Sequence, residues 1–170
     1  MEQHESTTPG SAPEQVGLAF LTLAYTLREQ VDQRMLATAG LSLSRTKVLQ
    51  ALAGRGVLHQ AELATSLGQA PRSVTQIVEG LERLGMVART GDPEDRRRKT
   101  VSLTETGRAA LTAAEEAGAH VLRQHFGQLE PQQLATLDAL LAHLDIALTG
   151  GKTGGQARRS PAPVGQPIDL

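Results

Sequence analysis

The 170 residues carry 17 basic and 18 acidic side chains, a formal charge of -1, and no cysteine; disulfides, thiolate metal sites and thiol redox sensing are excluded. No apolar stretch approaches the roughly 20 residues that span a bilayer. No basic-then-apolar segment opens the chain either, so a soluble, cytoplasmic protein without a membrane segment is expected.

Residues 1–12 and 149–170 are poor in large apolar side chains and cannot bury enough surface to offset ordering entropy. Two disordered tails are expected around one folded domain over 13–148. Val16, Phe20, Leu23, Leu27 and Val31 form a stripe on a helix over 14–38, widened by Leu18, Leu21 and Tyr25, so this helix needs more than one partner. Gly40 stops it. The Ser42 to Ser44 stretch caps a second helix with Val48, Leu49 and Leu52 inside, ending at Gly54-Arg55-Gly56. Val57 and Leu58 suffice only for a very short strand.

A short helix is predicted from His59 to Leu67, with Leu63, Ala64 and Leu67 inside. A tight turn at Gly68 leads to a helix from Pro71 to Leu84, where Pro71 suits the first helical position. Val74, Ile77, Val78, Leu81 and Leu84 form its buried stripe. After Gly85, Met86–Thr90 and the alternating Lys99–Leu103 read as a β-hairpin whose tip, 91–98, is long and charged. Thr104 is a plausible N-cap for a helix to about Phe126, with Leu111, Ala114, Gly118, Val121, Leu122 and His125 at helical spacing. Pro131 opens a last helix whose Leu134, Leu137, Leu141, Leu144 and Leu148 form a narrow seam that wants another helix against it. The fold class is mainly α with a small β-hairpin.

Charge is unevenly distributed. Residues 40–104 hold ten basic side chains against six acidic, a surplus of four, while the remainder holds seven against twelve. The middle alone carries a field suited to a polyanion. Two short helices across a Gly turn form a helix-turn-helix pattern. On the second, winding at about 100° per residue puts Arg72, Gln76, Glu79 and Arg83 opposite the buried stripe, with Ser73 and Thr75 beside them. Arg and Gln reach guanine and adenine edges in the major groove. The bland alternative is a solvated face in which Glu79 and Arg83 are an i,i+4 pair. In the hairpin tip, Arg96, Arg97, Arg98 and Lys99 follow Asp92, Glu94 and Asp95. A basic hairpin after a helix-turn-helix can reach a neighbouring groove. Asp95 and Arg97, two apart, project from one side, so Asp95 either orients Arg97 for the minor groove or the pair only braces the hairpin.

The string LGQAPRSVTQIVEGLERLGMVARTGDPEDRRRKTVSLTETG, residues 67–107, resembles the recognition helix, wing and following turn of the MarR family of bacterial transcriptional regulators. Its Asp-Arg-Arg run before Leu-Thr-x-x-Gly is a more specific signal than a helix-turn-helix pattern alone. The resemblance implies a winged helix-turn-helix over about 40–104, with dimerisation helices over about 14–38 and 104–148. It also implies a homodimer on a pseudo-palindromic DNA operator, acting as a repressor and released by a small-molecule effector. Arg72, Ser73, Thr75, Gln76, Asp95, Arg96, Arg97, Arg98 and Lys99 are then the DNA-binding residues. The effector would sit between the dimerisation helices and the winged part, near Arg28, Met35 and Arg45. Three positions depart from the family pattern: Glu94 precedes Asp-Arg-Arg, Ala70 precedes Pro71, and Thr46 stands where an aromatic is frequent. With Phe20, Tyr25 and Phe126 as the only aromatics, an aromatic-lined pocket is not expected.

Other chemistry finds no support in the residues. His59, His120, His125 and His143 include no i,i+4 pair, so neither a metal nor a cofactor is expected. No nucleophile-base pattern suggests an enzyme. The competing function is a winged-helix module for protein contact, which needs an apolar patch where Arg72, Ser73, Thr75 and Gln76 stand.

Overall fold

The computed structural model describes residues 12–91 and 99–150. The expected tails therefore lie almost wholly outside the described residues, as do Asp95, Arg96, Arg97 and Arg98 of the hairpin tip. Helix α1 (Pro13–Ala39) ends at Gly40, whose φ of 66° is the left-handed conformation that suits a residue without Cβ. Helix α2 (Leu43–Arg55) starts under two caps: Ser42 accepts from the Arg45 N–H, and the Asp32 carboxylate of α1 accepts from the Leu43 N–H at 2.6 Å. The second bond fastens α1 to the start of the compact unit.

Strand β1 (Leu58–His59) precedes α3 (Gln60–Leu67), a left-handed Gly68 turn and α4 (Pro71–Arg83). Strands β2 (Val87–Gly91) and β3 (Lys99–Leu103) pair antiparallel, Arg89 opposite Val101 and Gly91 opposite Lys99. The sheet has three strands in the order β1-β3-β2, with Leu58 opposite Val101. The short strand is thus one residue later than expected, because Val57 stays exposed and His59 joins the sheet before serving as backbone N-cap of α3. Helix α4 stops one residue short of expectation: Gly85 turns left-handed, and Leu84, expected inside, is about half exposed.

Val48, Leu49 and Leu63 pack with Val74, Val78, Leu81 and Val101 in one core without solvent exposure. Thr46 is equally buried, and its hydroxyl donates to the Ser42 carbonyl at 3.0 Å, which satisfies the polar atom inside the helix. Helix α5 (Glu105–Phe126) leaves the wing and packs along α1, and its small residues Ala114, Ala117 and Gly118 are buried. Its start is knotted to the end of α4. The Thr104 hydroxyl donates to the Gly85 carbonyl at 2.7 Å and accepts from the Gly107 N–H at 3.0 Å, while the Thr104 N–H donates to the Met86 carbonyl at 3.1 Å. A Cβ on Gly107 would lie 2.1 Å from the Met86 carbonyl oxygen, the physical reason for the Gly that closes the Leu-Thr-x-x-Gly turn.

Helix α6 (Pro131–Thr149) has no buried residue. Leu134, Leu140, Leu144, Ile146 and Leu148 all face solvent in the single chain, together with Val16, Leu18, Phe20, Leu21, Leu23 and Tyr25 of α1. Of the stripe read on α1, only Val31 and its neighbour by one turn, Met35, are buried. Among the described residues no helix is long and apolar enough to cross a membrane.

Candidate nucleic-acid interface and ligand cleft

Helix α4 is strongly two-faced. Val74, Val78 and Leu81 are fully buried, while Arg72, Ser73, Gln76 and Arg83 are exposed on the other side. The helix begins on Ala70 with no side-chain cap. Thr75 is half-buried and its hydroxyl is engaged, donating to the Pro71 carbonyl at 2.9 Å and accepting from the Gln60 amide. Thr75 thus braces α4 against α3, a role that residue type and helical phase do not disclose. Gln60, absent from the sequence-derived set, is its partner.

The wing is tied to the same helix by Arg89 of β2. Its Nε donates to Glu82 Oε2 at 2.8 Å, a terminal nitrogen closes on the same oxygen, and Nη1 lies 3.6 Å from Glu79 Oε1. The bonded guanidinium holds the Glu82 carboxyl below the usual carboxylate range, opposed by desolvation and aided by the charges of Arg89 and Lys99; in return Glu82 raises the Arg89 pKa. Glu79 therefore faces Arg89 and forms no ion pair with Arg83 among the described residues. A signal for Arg89 existed in the sequence. It lies two residues from fully buried Val87 and so shares the inward side of β2, where a cation requires partners. Lys99 is exposed at the start of β3, beside a polar cleft of about 380 Å³ that Gln60, Thr75, Glu79 and Arg89 also line.

A second cleft, of about 410 Å³, opens between α1, α2, α5 and α6. Phe20, Leu27, Leu122, Phe126 and Leu137 supply apolar wall, and Arg28 and Lys47 supply two cations. Of the three residues assigned to an effector cleft, Arg28 lines this one. Met35 and Arg45 do not line this cleft. Met35 follows Val31 by one turn and is fully buried in the core, and the Arg45 guanidinium lies against Gly80, 3.3 Å from the position of an added Cβ. The expectation of a cleft without aromatics is corrected: two of the three aromatic residues line it, brought together by the packing of α1 on α5.

A family model described as "MarR family" matches residues 39–98. The chain is 33% identical over 148 residues to the HTH-type transcriptional repressor NicR of Pseudomonas putida, covering 81% of this chain and 92% of that protein. It superimposes on Sco3205, a MarR family transcriptional regulator of Streptomyces coelicolor solved in complex with DNA, with a TM-score of 0.65 and 27% identity over 81% of this chain and 92% of that one. It also resembles Bordetella bronchiseptica BpsR, whose DNA binding is regulated by 6-hydroxynicotinic acid, with a TM-score of 0.61 and 26% identity over 77% and 98% of the two chains.

Proposed function

Because the chain belongs to the MarR family of winged helix-turn-helix regulators, we propose that it is a transcriptional repressor that binds duplex DNA as a homodimer and leaves it when a small ligand binds. The observation that carries this reading is the exposed face of α4, where Arg72, Ser73 and Gln76 stand free while the opposite face is buried. Such a helix offers bidentate donors and acceptors to base edges in the major groove. The wing carries Lys99 and the tip residues Asp95, Arg96, Arg97 and Arg98; Arg97, oriented by Asp95, is assigned to the minor groove and the other cations to phosphates.

The apolar surfaces left open on α1 and α6 support a two-fold homodimer, whose paired α4 helices read half-sites roughly 10 bp apart. The cleft at Arg28 and Lys47 suits a small aromatic carboxylate, the class of ligand that regulates BpsR. A ligand there acts by favouring a dimer whose two α4 helices no longer match the half-site spacing. This is a DNA-binding role in the cytoplasm and not an enzymatic one. The rival reading as a protein-contact module lacks the apolar patch it needs among Arg72, Ser73 and Gln76.

A gel shift with duplex from the chain's own upstream region tests the reading. Arg72→Ala or Gln76→Ala should cost about 1–3 kcal/mol on the specific site and much less on random duplex. Equal affinity of the parent for both duplexes would sink sequence-specific binding, and equal losses on both would reassign the side chains to phosphates.

A further inference from the structure

Glu79 stands in the middle of the stripe that Arg72, Gln76 and Arg83 form on α4. It is an anion on a face meant for a polyanion, and its side chain is 46% exposed. A bare carboxylate there would be repelled by phosphates. Arg89 offsets that charge without consuming the group. The guanidinium is held closely by Glu82, with Nε 2.8 Å from its oxygen, whereas Nη1 remains 3.6 Å from Glu79 Oε1. The second oxygen of Glu79 accepts no hydrogen bond from any described residue. The wing thus partly neutralises Glu79 from one side and leaves an acceptor open on the other.

We propose that Glu79 is a specificity-determining residue that accepts the N4 amino group of a cytosine in each DNA half-site, with Arg89 as its positioning residue. The proposal rests on reading α4 as the helix that enters the major groove. A carboxylate only accepts hydrogen bonds. In the major groove, guanine offers N7 and O6 and thymine offers O4, all acceptors that repel it. In a base pair the adenine amino group lies between two acceptors, its own N7 and thymine O4, whereas the cytosine amino group has an acceptor, guanine O6, on one side only. Glu79 therefore selects by attraction to one base and rejection of the others. It follows Gln76 at i+3, about 4.5 Å along the helix, close to one base-pair step of roughly 3.4 Å. The cytosine should thus lie next to the position that Gln76 contacts.

The test is selection from randomised duplexes by the full-length protein, its Glu79→Gln variant and its Glu79→Ala variant. The parent should favour C·G at one symmetric position per half-site by about fivefold to a hundredfold. Glu79→Gln should move that one position toward A·T, because an amide both donates and accepts, and Glu79→Ala should flatten it. Neither variant should alter the other positions. Identical preferences in all three proteins would overturn the proposal while leaving α4 as the reading helix. Weakening spread evenly over every position would also overturn it, by assigning Glu79 a structural role. A parent that selects no sequence would overturn the major-groove reading and this proposal with it.

Discussion

The helical arms are richer in apolar residues than the winged unit, yet it is the arms that leave them uncovered. In the winged unit α2, α3, α4 and β3 enclose Val48, Leu49, Leu63, Val74, Val78, Leu81 and Val101 without exposure. In the arms, the first half of α1 and most of α6 leave their leucines in solvent. One chain completes one of its two cores. Burial stabilises by about 25 cal/mol per Å² of apolar surface, so the arms gain little until another surface covers them. The contrast separates what a protomer needs in order to fold from what it needs in order to assemble.

The sharpest way to break this comparison is to charge the arm. Leu140→Asp combined with Leu144→Asp should leave the winged unit folded, convert the proposed dimer to monomer, and lower operator affinity by more than about a hundredfold through lost bivalency. Sedimentation equilibrium and circular dichroism check the two halves of that statement, and a surviving dimer would contradict it. A smaller effect is expected where the two regions join. Gly107→Ala forces a Cβ against the Met86 carbonyl and should cost about 1–3 kcal/mol in urea unfolding; an unchanged midpoint would mean that the turn yields.

The smallest effect concerns the rim of the winged unit. Glu82 has a lowered pKa, so its pair with Arg89 contributes stability above the ordinary glutamate range, and the contribution is lost as pH falls through the lowered value. The raised pKa of Arg89 keeps that side charged at every working pH. Acid should therefore loosen the wing from α4, only slightly because the Glu82 carboxylate keeps contact with solvent, and Glu82→Gln should abolish the acid step. Hydrogen exchange of β2 against pH measures it, and an unaltered profile in the variant would exclude the pair as its origin.

The elements themselves were legible because strong periodicity and Gly turns coincide: Gly40, Gly68 and Gly85 each take a positive φ at the boundary where they punctuate the pattern. Two residues of β1 carry too little alternation to fix its bounds, and its pairing with β3 is set by tertiary packing. For the site, the exposed face of α4 follows from helical phase alone. The clamp at Arg89 needed one more step, the inference that a cation sharing a strand face with Val87 must be paired. Met35 was misplaced although its spacing from Val31 put it on the core stripe. Phe20 and Phe126 share a cleft only because α1 lies along α5, a pairing that local pattern does not encode.

Helix α5 is one unbroken rod of 22 residues, and the Thr104 knot fixes its first turn to the end of α4. At 1.5 Å per residue the rod is about 33 Å long. A tilt of about 6° at its far end is a displacement of about 3.4 Å, one base-pair step of the duplex. The rod is thus a lever with its fulcrum in the arms and α4 at its moving end, and it sets a tolerance: packing of the arms within a few degrees holds α4 in register, and a slip of that size carries it to the next base pair.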